Sequence, residues 1–453
     1  MPFIPFTPFT VRLLAGRLFP VHLVPVSLAA RLLLAGLAAA LVLGAAGLAQ
    51  SSPDAAVKAV VASAKFKAAL AALDRDHDRL IEEIIRLTQI PAPPFKEDAR
   101  AAAYLEMLRH GLSNVERDAE GNVMGLRRGQ GRGPLIAIAA HLDTVFPEGT
   151  DVTVKRNGTR LSAPGIGDDT RSLAVLLTMI RAMDAAGIRT ESDILFVGNV
   201  GEEGLGDLRG VKHLFQKGPY RDRIGLFISM DGAGGGERIT NGGVGSKRYR
   251  AAFKGPGGHS YGAFGLVNPA FAMGGAMAKL SRITVPASPK TTFNVGVVGG
   301  GTSVNSIPFE NWMEIDLRSE SPAELEKLNE TFMGLMHEAV AEENKARSTR
   351  LGPVTLDLKL VGDRPSGRTP ADSHIVRTAA AAVRSAGLTP TFGFGSTDSN
   401  LPMSLGIPAI TIDSGGAGGR AHALDEWIDV EKRASLRGIQ IALTLLLALA
   451  GAS

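Results

Sequence analysis

Cysteine is missing from all 453 positions of the chain. Its absence excludes disulfides, thiolate zinc sites and a cysteine nucleophile, so any metal must be held by His, Asp and Glu. No internal repeat or low-complexity tract occurs, and a hydrophobic content of 45% over this length can supply cores for two domains of ordinary size. Acidic residues are absent from the first 49 positions, which hold Arg12, Arg17 and Arg31 and then an unbroken apolar run from Leu32 to Ala49. This is the pattern of a secretory signal, with Gly47 and Ala49 placed for cleavage before Gln50, and it leads us to expect a periplasmic or secreted protein. The same run is just long enough to act as an uncleaved N-terminal anchor, which would be the one membrane association expected. Without those three arginines the chain carries 46 basic against 45 acidic residues, so its high pI is a property of the leader and no nucleic-acid partner is expected.

Beyond the leader, the pattern from Ala56 to about Leu87 is helical and ends at "IPAPP", which cannot continue a helix. A second helix is expected over about Glu97 to Leu112. Short apolar runs such as "PLIAIAAHLDTV", "ESDILFVGNVGEEG" and "IGLFISMDG" then alternate with amphipathic segments. Buried strands separated by helices imply an α/β domain around a largely parallel sheet, with active residues gathered at the strand ends. From about Ser246 the order becomes strand, helix, two strands, helix, strand, which is ferredoxin-like and suggests a small inserted domain. The expected organisation is a leader over 1–49, a catalytic domain over 56–245 and 365–453, and the insert over 246–364. The final helix, Val430 to Ala450, reads as a core helix and not as a membrane span.

Several strand ends present groups capable of chemistry. "AHLDTV" places His141 and Asp143 on the same side of a strand, where a carboxylate can orient an imidazole. "GIGDDTRS" places Asp168 and Asp169 before a helical run: Asp169 or Thr170 reads as the helix cap, while a carboxylate at this rim could instead bridge two cations. "GEEG" sets Glu202 beside Glu203, "SMDG" ends a strand in Asp231, and "GRAHALDEWID" delivers His422. Singly, each is an ordinary loop or strand-end residue. Together, His141, Asp168, Glu203, Asp231 and His422 form a sulfur-free donor set suited to two borderline-hard cations such as Zn, Co or Mn.

The ordered set "HLDTV", "GIGDDT", "GEEG", "SMDG", "GPGGHS" and "GRAHALDEWID" resembles the M20 family of two-metal peptidases and deacylases, from about Leu87 to the C-terminus. The resemblance implies a zinc-dependent catalytic domain with an inserted lid or dimerisation domain. Carried over by position, His141 and Asp231 would bind one metal, Glu203 and His422 the other, and Asp168 would bridge them. Asp143 would support the His141 side, and Glu202 would be the general base. His259, in the lid motif "GPGGHS", would stabilise the oxyanion, in the family often from the partner subunit of a homodimer. Asn305 and Arg318 resemble lid positions that hold polar or carboxylate ends of a substrate.

Two departures stand out. Thr170 and Arg171 replace the lysine and glycine common after the bridging aspartate, and Asp231 stands where carboxypeptidases and deacylases of the family tend to carry Glu. The second departure, with "GSTDSN" at 395–400, resembles the peptidase T branch. The expected activity is therefore exopeptidase cleavage of short peptides, of the aminopeptidase or tripeptidase kind. The alternatives are an N-acyl-amino-acid deacylase or glutamate-type carboxypeptidase, and, more remotely, a non-catalytic binding protein on the same fold.

Overall fold

Four apolar runs have no polar alternation that would give one face to water, so they can be accommodated only inside a sheet covered on both sides. In the computed structural model, which describes residues 52–452, they are the adjacent parallel strands Ile194–Asn199, Leu135–His141, Ile224–Met230 and Ala409–Ile412. The leader expected over residues 1–49 lies outside the described residues. Alternate side chains feed opposite cores: Ile136, Ile138 and Ala140 face one cluster, while Leu135, Ala137 and Ala139 face the other. The larger cluster includes helices Arg171–Ala185, His374–Ser385 and Lys432–Ala450, and the smaller includes Arg209–Gln216. Antiparallel strands extend the sheet on both sides, through Val123–Arg127 to Ser113–Arg117 and through Arg238–Gly243 to Gly367–Arg368. Because the four central strands run the same way, their C-terminal ends share one edge, which is where a doubly wound sheet places its site.

Helix Lys432–Ala450 is long and apolar enough to cross a membrane by length alone, yet Ile439, Leu443 and Leu446 have no exposed surface and pack into the larger core. Two details differ from the sequence reading. The helical region before "IPAPP" is three helices, Pro53–Ala62, Ala64–Arg75 and His77–Thr88. Ser63 takes an extended conformation and its hydroxyl caps Phe66 N–H, which ends one helix and begins the next. A small sheet was also missed: Lys155–Asn157 and Arg160–Ser162 join Trp427–Asp429 and Ala417–Gly419, across more than half of the chain.

Residues Gly245–Arg364 form the four antiparallel strands and two helices of a ferredoxin-like unit. Its strand order is Thr291–Gly300, Glu310–Ser319, Gly245–Lys254, Thr355–Arg364, with helices Pro269–Leu280 and Pro322–Ala346 on one face. It has its own core around Phe253, Leu317, Phe332 and Met336.

Candidate metal centre

Strand Leu135–His141 stops where its side chains become polar, and Asp143, two residues on, is wholly enclosed. The neighbouring strand Ile194–Asn199 ends at the same level, and Gly201, at φ +67°, turns the chain back toward Asp143. The Asp143 carboxylate then accepts the backbone N–H of Glu202 at 3.0 Å and of Glu203 at 2.8 Å. His141 Nδ1 lies 3.1 Å from the Asp143 carbonyl oxygen and 3.7 Å from its carboxylate. One buried acid therefore fixes both the imidazole and the backbone of the glutamate pair.

Gly165, in the left-handed region at φ +73°, opens the loop that carries Asp168 and Asp169 into helix Arg171–Ala185. Asp168 stands between the two histidines, with Oδ1 at 2.9 Å from His141 Nε2 and Oδ2 at 3.2 Å from His422 Nε2. His422 Nε2 is also 3.0 Å from Glu203 Oε1. The donor atoms of His141, Asp168 and Glu203 all lie within 4.8 Å of one another, as do those of His141, Asp169 and Asp231. The fold thus gathers His141, Asp168, Glu203, Asp231 and His422, and adds Asp169. Neither Asp169 nor Thr170 acts as the helix cap that was one reading of them. Asp169 accepts His141 N–H at 3.1 Å and Gly232 N–H at 3.3 Å, while the Thr170 hydroxyl donates to Gly165 O at 2.7 Å. Arg171 is fully buried with its Nη2 on Ser435 Oγ at 2.7 Å, so the departure at 170–171 removes no donor from the cluster.

The charges of this cluster fit cations. Burial, with Asp168 and Asp169 alongside, pushes Asp231 well above the usual carboxylate range. Burial opposes a charged His141, but its hydrogen bonds to Asp143 and Asp168 outweigh that and hold it well above an ordinary imidazole. Hydrogen bonds to Asp168 and Glu203 push His422 up to about 10. The two imidazolium charges occupy the place where divalent cations would neutralise the same acids, with release of protons on binding. Nitrogen and oxygen donors in this number and proximity suit two such ions.

Glu202 sits outside the cluster. Its Oε1 accepts Arg364 Nη1 at 3.0 Å, Arg364 Nη2 also donates to the Glu202 carbonyl, and both side chains are buried. Burial, reinforced by Glu203 and opposed by Arg364, pushes Glu202 up to about 8. The ion pair and the raised value point opposite ways, and the enclosure of both groups explains which wins: desolvation of the carboxylate exceeds what one guanidinium returns.

A cavity of about 310 Å³ opens over Asp168, Glu202, Glu203, Asp231 and His422 and is also lined by Arg248, Arg318 and Arg364. Asp316 organises the two lid arginines, at 3.2 Å from Arg248 Nε and 2.6 Å from Arg318 Nε. Arg318 therefore faces the site, whereas His259 and Asn305 do not line this cavity. His259 lies on the short ribbon Gly258–His259 and Ser306–Ile307, and Asn305 directly precedes Ser306; His259 Nδ1 accepts Tyr261 N–H and Gly262 N–H at 3.2 Å. Arg248, Arg364 and Glu426 were missed by the sequence reading. Only Glu426 lay inside a quoted motif.

Residues 137–448 match the sequence profile of peptidase family M20/M25/M40. The chain belongs to this family. A putative [LysW]-lysine/[LysW]-ornithine hydrolase of Pyrococcus abyssi is 32% identical over 128 residues, 28% of this chain and 34% of that protein. The match thus spans about a third of the length of the curated relative. Among solved structures, aminopeptidase PepT from Bacillus cereus is similar with a TM-score of 0.65 at 20% identity, covering 83% of this chain and 99% of that one. The Bacillus subtilis YXEP protein, a dinuclear metal-binding peptidase from the M20 family, is similar with a TM-score of 0.59 at 17% identity, covering 83% and 99%. At these identities the two structures establish the shared fold.

Proposed function

We propose that the protein is a metal-dependent exopeptidase that hydrolyses an amide bond in short peptides. The observation that carries this reading is the division within one cavity between Glu203, joined to the histidine and aspartate cluster, and Glu202, held just outside it. His141 and Asp231 would hold one divalent cation, Glu203 and His422 the other, and Asp168 would lie between them; zinc suits the donors, and cobalt or manganese suit them as well. Such a pair of cations supplies an activated water and polarises the scissile carbonyl. Glu202 accepts the proton of the attacking water and returns it to the departing amine. Asp143 keeps His141 and the two glutamates in register. Arg318, steadied by Asp316 and flanked by Arg248, receives a carboxylate end of the substrate.

His259 and Asn305 enter this scheme from a second copy of the chain, joined through the lid, with His259 stabilising the oxyanion. The exposed apolar side chains of Tyr261, Phe264 and Val304 beside them support an interface there. The leader read over residues 1–49 would place the activity in the periplasm or outside the cell. Protein recovered there is expected to begin at Gln50.

The arginine-lined cavity also favours a second reading, an N-acyl-amino-acid deacylase or carboxypeptidase, because those substrates carry the same carboxylate. A panel of free-amine tripeptides and N-acetyl amino acids, assayed with Zn, Co and Mn, separates the two. Activity on the free peptides is expected, and activity confined to the blocked substrates would overturn the aminopeptidase assignment. Glu202→Gln is expected to keep its metals and lose about 10²–10⁴-fold in kcat; an unchanged rate would remove Glu202 from its role.

A further inference from the structure

The hairpin that delivers His422 also carries an acid for which neither the ligand set nor the proton transfer has a use. Glu426 is 1% exposed and precedes strand Trp427–Asp429, whose pairing with Arg160–Ser162 brings it beneath the loop that presents Asp168. Its carboxylate accepts three backbone N–H groups of that loop: Oε2 takes Gly165 at 3.1 Å, and Oε1 takes Gly167 at 2.7 Å and Asp168 at 2.9 Å. Its own carbonyl accepts Ala163 N–H, at 3.0 Å. The contact is close enough that a Cβ on Gly167 would lie 3.2 Å from Oε1 and 3.1 Å from the Ile428 side chain.

Ile166 N–H and the Thr170 hydroxyl also bond within this segment, to Ala163 O and Gly165 O, but neither bond engages the amides of Gly167 and Asp168. Gly165 and Gly167 give the segment backbone freedom that must be removed for Asp168 to stand between His141, at a strand end, and His422, in a hairpin loop. Hydrogen bonds to one carboxyl group from the amides of Gly165, Gly167 and Asp168 remove it. The same carboxylate lies four residues from His422, in the loop that links the last two strands of the small sheet. Glu426 therefore joins the element carrying one candidate ligand to the element carrying the ligand between the two metals.

We infer that Glu426 is a positioning residue that sets Asp168 between the two cation sites and so makes their occupancy interdependent. The inference rests on the two-metal reading proposed above. Replacing the carboxylate with an amide turns an NH₂ group toward amide N–H donors, so at least one of the three bonds is lost and a donor faces a donor. Displacement of a group that orients metal ligands typically lowers affinity by about 10–100-fold.

The test is zinc binding to the full chain, stripped with a chelator and titrated against a chromophoric competitor. Wild-type protein is expected to take two equivalents. Glu426→Gln is expected to bind about 10–100-fold more weakly overall, with the second equivalent lost first, while its metal-free form remains folded, with a far-UV circular dichroism spectrum like that of wild type. Two equivalents bound by Glu426→Gln as tightly as by wild type would overturn the inference. If Glu426→Gln fails to fold, Gly167→Ala perturbs the same contact from the loop side, and unchanged zinc binding there overturns the inference equally. Wild-type protein that takes up no cation would instead overturn the metal reading on which the inference rests.

Discussion

Arg364 and Glu202 form an ion pair at 3.0 Å with both side chains almost wholly removed from solvent. Arg364 is the last residue of the lid's outer strand, so this pair fastens the lid to the residue assigned to proton transfer. Arg364→Met leaves the Glu202 carboxyl and carbonyl oxygens without their buried donor and is expected to cost about 1–3 kcal/mol of stability. The double substitution with Glu202→Gln should recover part of that loss. Thermal or denaturant unfolding of the four proteins measures it, and additive effects would show that the two groups do not interact.

The metal-free protein should lose stability as pH rises. Glu202 is held up to about 8 and Glu426 up to about 7, both by burial, so the folded state retains protons that an unfolded chain releases near ordinary carboxylate values. Their contribution is therefore complete below about pH 4.5 and is lost as pH passes through about 7 to 8. His422 does not offset this trend, because its contribution is lost only as pH rises toward about 10. Melting temperatures taken from pH 5 to 9 with a chelator should fall, and zinc or Glu202→Gln should flatten the curve. A flat curve for the stripped wild-type protein would contradict the assignment.

Recognition of a carboxylate by Arg318 predicts a dependence on the chemistry of the substrate's end. Amidation of a peptide's C-terminus should raise KM for wild-type protein by about tenfold or more, the loss of one charge-assisted contact. Arg318→Ala should raise KM for the free acid and leave the amidated peptide unaffected. Equal sensitivity of both peptides to the substitution would assign Arg318 to the fold.

Helix Lys432–Ala450 crosses the loop before the His422 hairpin at Gly438, where an added Cβ would lie 2.3 Å from Gly415 Cα. Backbone meets backbone there, so neither side can swing away, and Gly438→Ala should destabilise the protein by about 1–3 kcal/mol. Gly274, in helix Pro269–Leu280, has nothing within 4 Å of an added Cβ, and Gly274→Ala should be neutral or stabilising by up to about 1 kcal/mol. Equal melting temperatures for the two variants would refute the close-packing account.

The central sheet was legible because its four strands are continuous apolar runs, and the donors were legible because each follows directly on such a run or on a glycine turn. Three kinds of feature were not. The helix breaks at Ser63 and Asp76 depend on one residue each, without the proline or glycine that marks a break in sequence. The small sheet is built from three-residue strands, too short to show a period. The partnerships Arg364 with Glu202 and Glu426 with the 165–168 loop join segments 162 or more residues apart, and nothing local to either residue announces the other. For Glu426, the adjacent motif "GRAHALDEWID" was read for its histidine alone, although a buried Glu beside a three-residue strand has to find amide donors somewhere.

The lid enters and leaves the catalytic domain through neighbouring strands. Ser246 pairs with Arg364, and just beneath them Gly243 pairs with Gly367. Two chain ends held side by side in a ladder can be rejoined by a short turn, so the insert is severable: a lidless protein closed between Gly243 and Gly367 keeps the whole doubly wound sheet, both of its cores and every candidate cation donor. What such a truncated chain forfeits is Arg248, Arg318 and Arg364 together. It would separate ion capture from substrate selection in a single deletion.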